Sequence, residues 1–182
     1  MRRTTVARRY AQALFQVAVG REAVDEIEAD LQAVLGLLRE VEDFKRVWEH
    51  VLIRPSAKEA IIERVFADRI SPPTLNFLKL LCEKRRERHL AGIYEEFRRL
   101  ANDARGIAEA TVEAAMPLSD SLLTSLQEAL RKATGKEVRI RTRVRRELLG
   151  GIVVRIGDRV IDGSVKGRLN RLRDRMAKSG VS

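Results

Sequence analysis

Apolar residues along this chain follow two different spacings. Up to about residue 105 they return every three or four positions, the period of a helix with one buried face. Beyond it they alternate with polar residues in short runs, the period of a strand. The first part reads as six helices, two of them unusual. In residues 4–19 the polar positions Arg8, Arg9, Gln12 and Gln16 fill one narrow arc. Val6, Ala7, Tyr10, Ala11, Ala13, Leu14, Phe15, Val17 and Ala18 cover more than half of the circumference. A surface helix needs a single apolar stripe. Tyr10, Leu14 and Val17 can face a core, which leaves Ala7, Ala11 and Ala18 in need of a second neighbour. Either this helix sits at the centre of its bundle, or it is one wall of a groove that receives a partner helix. The helix opened by Ser71-Pro72-Pro73, with Ser71 as its cap and the prolines in its first turn, repeats the pattern. Asn76, Lys79 and Glu83 make one thin polar line, and Leu75, Phe77, Leu78, Leu80, Leu81 and Cys82 take nearly everything else.

The remaining helices are ordinary. Residues 22–40 carry one stripe through Val24, Ile27, Leu31, Val34, Leu35 and Leu38. A shorter helix over 41–51 carries Phe44, Val47 and Trp48. After Arg54-Pro55, Ser56 and Glu59 have capping-box spacing, and a helix through Ile61, Ile62, Val65 and Phe66 follows. Residues 86–104 are regularly amphipathic through Leu90, Ile93, Tyr94, Phe97, Leu100 and Ala101.

From Gly106 the period changes. Ala108, Ala110, Val112, Ala114 and Met116 alternate with Glu109, Thr111 and Glu113, a strand with one buried face. A helix through Leu122, Leu123, Leu126, Ala129, Leu130 and Ala133 ends at Gly135. Val138, Ile140 and Val144 then alternate with Arg139, Arg141 and Arg143. After Gly150-Gly151, the β-branched run Ile152, Val153, Val154 and Ile156 turns at Gly157-Asp158 and returns as Val160 and Ile161. Asp162-Gly163-Ser164 stops the strand and can cap a helix. That last helix has one apolar seam, Val165, Leu169, Leu172 and Met176. Its other faces carry Lys166, Arg168, Arg171, Arg173, Asp174 and Arg175. The expected fold is a two-domain α+β protein: a six-helix bundle over 1–105, then a small α+β domain over 106–182 in the order β-α-β-β-β-α.

Charge separates the same two parts. Residues 1–106 carry 20 basic against 17 acidic side chains, whereas 107–182 carry 16 against 9, so most of the net +10 lies in the second part. A basic balance can mean nucleic acid or an anionic surface. Arg139, Arg141 and Arg143, with Arg145 and Arg146, make the best case for nucleic acid. A solvated edge-strand face is the preferred reading, because no aromatic residue follows Gly106 to stack on bases. Enzymatic constellations are missing: His50 and His89 fall on separate helices, Cys82 is the sole cysteine, and no ligand set has metal-site spacing. No Gly-Lys-Ser/Thr follows Gly150-Gly151, so a tight turn is preferred to a phosphate cradle. With a single Cys, no signal-peptide pattern and no apolar run long enough to span a bilayer, the expected place is the cytosol or the cytosolic face of a membrane.

The segment GGIVVRIGDRVIDGSVKGRLNRL closely resembles the C-terminal signature of the delta subunit of bacterial F-type ATP synthases, the family of the mitochondrial oligomycin-sensitivity-conferring protein. VARRYAQALFQVA is similar to that family's first helix, LNFLKLLCEKRRERHLAGIYEEF to its fifth and sixth, and AEATVEAAMPLSDSLLTSLQEAL to its internal strand and helix. Arg85 stands where the family usually has glycine.

The resemblance implies a non-catalytic stator subunit with no cofactor and no metal. It would occur in one copy per complex and lie peripherally on the cytoplasmic face of the cell membrane, touching the membrane only through the complex. It further implies that a groove between the first and fifth helices binds the N-terminal helix of an alpha subunit. Carried onto this sequence, that role falls on Tyr10, Ala11, Leu14, Ala18, Leu75, Leu78, Lys79 and Cys82, and tryptophan at Ala11 or Ala18 is expected to fill the groove. The second domain would hold the b subunits of the peripheral stalk through Val165, Arg168, Leu169, Arg171, Leu172 and Met176. No nucleic-acid partner is implied.

Overall fold

A computed structural model describes residues 5–157 and 159–179, with residues 171, 174, 175 and 177–179 described by backbone alone. The chain divides into two compact units, Met1–Ala101 and Asn102–Ser182. The whole is α+β, with eight α-helices and a four-stranded mixed sheet among the described residues.

The first unit contains α1 (Thr5–Gly20), α2 (Val24–Glu40), α3 (Glu42–Glu49), α4 (Pro55–Phe66), α5 (Pro72–Glu83), a 3-10 turn at Glu87–His89, and most of α6 (Leu90–Ala104). One core collects a face from each helix, with Ala11, Ala18, Ile27, Leu31, Ile62, Leu78, Leu81, Ile93 and Phe97 all shielded from water. Small residues let α1 lie close to α6: a Cβ on Gly92 would stand 3.4 Å from that of Ala7. Phe15 meets Phe97 edge-on across the core, with ring centroids 5.7 Å apart.

Polar groups inside this unit join elements. Lys58 on α4 donates to the Trp48 carbonyl at 2.7 Å and ion-pairs with Glu87, while the Trp48 indole N–H donates to the Glu87 carbonyl at 3.1 Å. Buried Asp30 of α2 accepts the Ser71 backbone N–H at 2.9 Å and the Ser71 hydroxyl at 2.6 Å. Ser71 is the residue before α5; its hydroxyl makes no cap to the helix backbone but donates to Asp30 and shares a hydrogen bond with the Thr74 hydroxyl at 3.0 Å. Ser56, expected as a cap, lies inside α4; the helix starts at Pro55, whose fixed φ and missing N–H suit a first position.

At the end of α5 the Arg86 N–H reaches the Leu81 carbonyl at 2.8 Å and the Arg85 N–H reaches that of Cys82 at 3.0 Å. That double bond pattern needs a left-handed residue, and Arg85 supplies it at φ +52°. Its guanidinium donates to the Val51 carbonyl at 2.8 Å. The turn is therefore as tight as a glycine would make it.

The second unit runs β1 (Ile107–Ala114), α7 (Asp120–Thr134), β2 (Glu137–Val144), a 3-10 turn (Arg146–Leu148), β3 (Ile152–Ile156), β4 (Arg159–Asp162) and α8 (Val165–Ser179). The sheet order is β2-β1-β3-β4, with β1 and β2 parallel through the α7 crossover and the other pairs antiparallel. Ala110, Val112, Val138 and Val154 share one face and pack with Leu130 of α7. The β1 alternation stops at Ala114, leaving Met116 exposed beyond the strand. Asp158, expected in the β3–β4 turn, lies outside the described residues.

Candidate functional site

The wide apolar arc of α1 resolves into two stripes offset by one residue. Ala7, Ala11, Leu14 and Ala18 point into the core. Val6, Tyr10, Ala13 and Val17, at the same intervals, face outward with Leu14 between them. One residue is about 100° of helix, so the second stripe needs its own neighbour. On α5 the core takes Thr74, Phe77, Leu78, Leu81 and Cys82, while Pro73, Asn76, Phe77 and Leu80 face the outward stripe of α1. Between these walls lies an open groove of about 650 Å³. Tyr10 and Phe77 meet edge-to-face from opposite walls, at 6.3 Å between centroids. Val17 and Leu80, 45% and 40% exposed, leave apolar surface uncovered. Three arginines, Arg9, Arg21 and Arg86, complete the lining.

The sequence-derived groove residues therefore separate. Tyr10 and Leu14 line the groove. Ala11, Ala18, Leu78 and Cys82 lie in the core. Tryptophan at Ala11 or Ala18 would break that core rather than fill the groove, because neither residue has any exposed surface. Leu75 packs against the core from its edge, and Lys79 reaches Glu63 of α4 at 3.2 Å, so both sit off the groove. Of the second stripe only Tyr10 was named from sequence; Val6, Ala13 and Val17 were missed, although their spacing with Tyr10 was available to find them.

Cys82 sits beneath the groove wall with its thiol pushed up to about 12, chiefly by burial and then by the Glu87 carboxylate, against an opposing effect of Lys58. It stays protonated and inert under ordinary conditions.

In the second unit the glycines and Asp162 seat the last helix. The Gly163 N–H donates to Ile152 at 3.0 Å and the Val165 N–H to Gly150 at 3.0 Å. Gly151 has φ +73°, and a Cβ there would come 2.4 Å from the Gly163 carbonyl oxygen. Asp162 accepts the Ser164 N–H at 2.9 Å and its hydroxyl at 2.7 Å; Ser164 in turn accepts the Gly167 N–H at 3.0 Å, capping α8. A side chain on Gly167 would collide with the Asp162 carboxylate, 2.5 Å away. The fixed start projects a bare seam: Val165, Leu169, Leu172 and Met176 are 44%, 54%, 56% and 68% exposed. Arg168 is exposed beside them, and the Arg171 side chain lies outside the described residues.

The arginines of β2 occupy the sheet face away from α7, in register with carboxylates. Arg139 stands opposite Glu109, and Arg143 opposite Glu113. Arg141 pairs with Glu109 at 3.4 Å. Arg145 pairs with Glu113 at 2.8 Å and Glu147 at 3.1 Å, and these hydrogen bonds raise its already high pKa. This is a partly neutralised sheet surface without a base-stacking aromatic. Among the described residues no three His, Cys, Asp or Glu side chains converge on a metal position.

Comparison with known proteins places these surfaces in context. A profile of the ATP synthase delta (OSCP) subunit matches residues 6–176. The ATP synthase subunit delta of Desulforamulus reducens is 40% identical over 176 residues, covering 97% of each chain. That of Desulforudis audaxviator is 42% identical, again over 97% of each. A chain in the cryo-EM structure of the Toxoplasma gondii mitochondrial ATP synthase hexamer superposes with a TM-score of 0.73 at 24% identity, covering 96% of this chain and 98% of that one, which shows a shared fold.

Proposed function

Because the chain belongs to the ATP synthase delta (OSCP) subunit family, a non-catalytic family of that complex, we propose that it acts as a stator link with one contact on each unit. The first unit is a six-helix bundle whose α1–α5 groove seats the N-terminal helix of an alpha subunit. The bare seam of α8 takes the end of the peripheral stalk, formed by the b subunits. The chain sits on the cytoplasmic face, in one copy, held to the membrane only through the complex.

The observation that carries this reading is the second apolar stripe of α1, which faces α5 across an open groove instead of entering the core. From Val6 to Val17 it extends roughly 17 Å at 1.5 Å per residue, enough for three turns of a docked helix. The α8 seam, at the same helical intervals, suits packing against a long stalk helix. The physical demand is mechanical. Rotor torque on the catalytic head has to be resisted, and the link must dissociate slowly under load. Two contacts on one chain help, because loss of one leaves the other holding its partner at high effective concentration.

The test uses ATP synthase depleted of this subunit and reconstituted in vesicles. Wild-type chain is expected to restore ATP-driven proton pumping. Ala13→Trp, which occupies the groove from an exposed position, and Leu169→Asp, which charges the seam, are each expected to leave hydrolysis but uncouple it from pumping. Full coupling in both variants would overturn the assignment.

A further inference from the structure

Resting on the reading of the α1–α5 groove as the seat of a partner helix, we infer that the groove selects that helix by charge: its occupant carries carboxylates flanking the apolar stripe. The lining residues include Arg9, Arg21 and Arg86 and not one acid. Elsewhere in this unit some arginines find carboxylates, while others, among them Arg39, Arg54, Arg64 and Arg69, make no ion pair among the described residues. Arg46 pairs with Asp43 at 3.6 Å, Arg98 with Glu95 at 3.5 Å and Arg99 with Glu96 at 2.9 Å. Arg9, Arg21 and Arg86 make no side-chain ion pair among the described residues, and all three are exposed. In a unit whose charges nearly balance, a groove lined by three arginines and no acid carries a local positive excess.

The placement sets the pattern of the occupant. Arg9 and Arg21 are twelve residues apart on and just past α1, about 18 Å at the helical rise. Arg86 follows the other wall. A helix lying in the groove can meet the first two with acids near its two ends and the third with an acid on its other flank. Apolar contact supplies the retained affinity, while the rim sets the approach rate and rejects a basic helix with the same stripe. Because the rim is solvated, the preference is largest at low salt and fades as the Debye length shrinks to about 3 Å near 1 M.

The test is fluorescence anisotropy on the full chain with three synthetic helical peptides that share one Leu/Ala stripe and carry Glu, Gln or Lys on its flanks. At low salt the Glu peptide is expected to bind about tenfold more tightly than the Lys peptide, three exposed pairs each contributing modestly. The triple variant Arg9→Glu, Arg21→Glu, Arg86→Glu is expected to reverse the order; single Arg→Gln variants serve if the triple variant melts early. Equal binding of all three peptides overturns the inference and leaves the groove reading standing. An unchanged preference in the variants also overturns it, assigning the effect to charges elsewhere. Failure of every peptide to bind removes the groove reading itself.

Discussion

Replacing Asp30 with alanine is expected to loosen the α5 wall of the groove although Asp30 never touches the groove. The first two positions of α5 are Pro72 and Pro73, which have no N–H to satisfy. At this buried start the Ser71 backbone N–H and hydroxyl both donate to the Asp30 carboxylate, at 2.9 Å and 2.6 Å, and the Ser71 and Thr74 hydroxyls share a hydrogen bond at 3.0 Å. A hydrogen bond to a charged group is worth about 1.5–3 kcal/mol, so losing two costs roughly 3 kcal/mol even at the low end. The favourable placement of a carboxylate at a helix N-terminus is lost as well. Such a loss is a large share of the roughly 5–15 kcal/mol that holds a domain together. For a unit of this size it corresponds to a fall in Tm of roughly 12–24 °C. Asp30→Asn keeps a carbonyl acceptor and should lose about half as much. Calorimetric melts of the wild-type chain and both variants measure the series. Asp30→Ala within about 0.5 kcal/mol of wild type, the range of an ordinary surface change, would refute the reasoning.

Three further outcomes follow from the same geometry. Gly151→Ala, forced into φ +73° with its Cβ against the Gly163 carbonyl, should cost more than about 2 kcal/mol and speed amide exchange at the start of α8, while groove-peptide binding is retained; unchanged exchange there would contradict the seating of that helix. Arg85→Gly relieves a left-handed side chain, worth about 1 kcal/mol, and loses one exposed hydrogen bond to Val51 of similar size; urea denaturation should change by less than about 1 kcal/mol, and a larger loss would mean that the bond dominates the turn. Cys82 should resist alkylation in the folded chain. Its thiol lies near 12 against an ordinary 9.0, so between these values the unfolded chain releases a proton that the folded chain keeps, and stability falls as pH rises through that window. A Cys82→Ser comparison whose alkaline loss matches wild type would contradict this.

Much of the fold was legible in the sequence because its two spacings differ so plainly. The switch at Gly106 marks where helices give way to strands, and the alternation of Val138 and Ile140 with arginines marks which face of β2 meets α7. The unit boundary nonetheless falls at Asn102, not at the glycine. The last turn of α6 is tied forward, through Asn102 to Glu109 at 3.2 Å and Asp103 to Lys136 at 2.8 Å, and no periodicity reports such bonds. The groove was half legible. Sequence showed that α1 has too much apolar surface for one core, but it turned Tyr10, Leu14 and Val17 inward, whereas the structure buries Ala7, Ala11, Leu14 and Ala18 and leaves Val17 exposed. Ala7 goes in where its small side chain meets Gly92 of α6, and Ala11, Leu14 and Ala18 follow on the same face, leaving Val6, Tyr10 and Val17 on the groove side. Ser71 misled in a similar way. Its position before a proline-led helix reads as a self-cap, while the acceptor that organises it stands on α2.

The most direct measurement is calorimetric titration of the full chain, wild type and Ala13→Trp, with a peptide of the alpha subunit's N-terminal helix at low and high salt. Saturable one-to-one binding that weakens but persists at high salt is expected, and it should disappear in Ala13→Trp without loss of the fold. Absence of binding to the wild-type chain, or binding that Ala13→Trp leaves untouched, would contradict the groove reading.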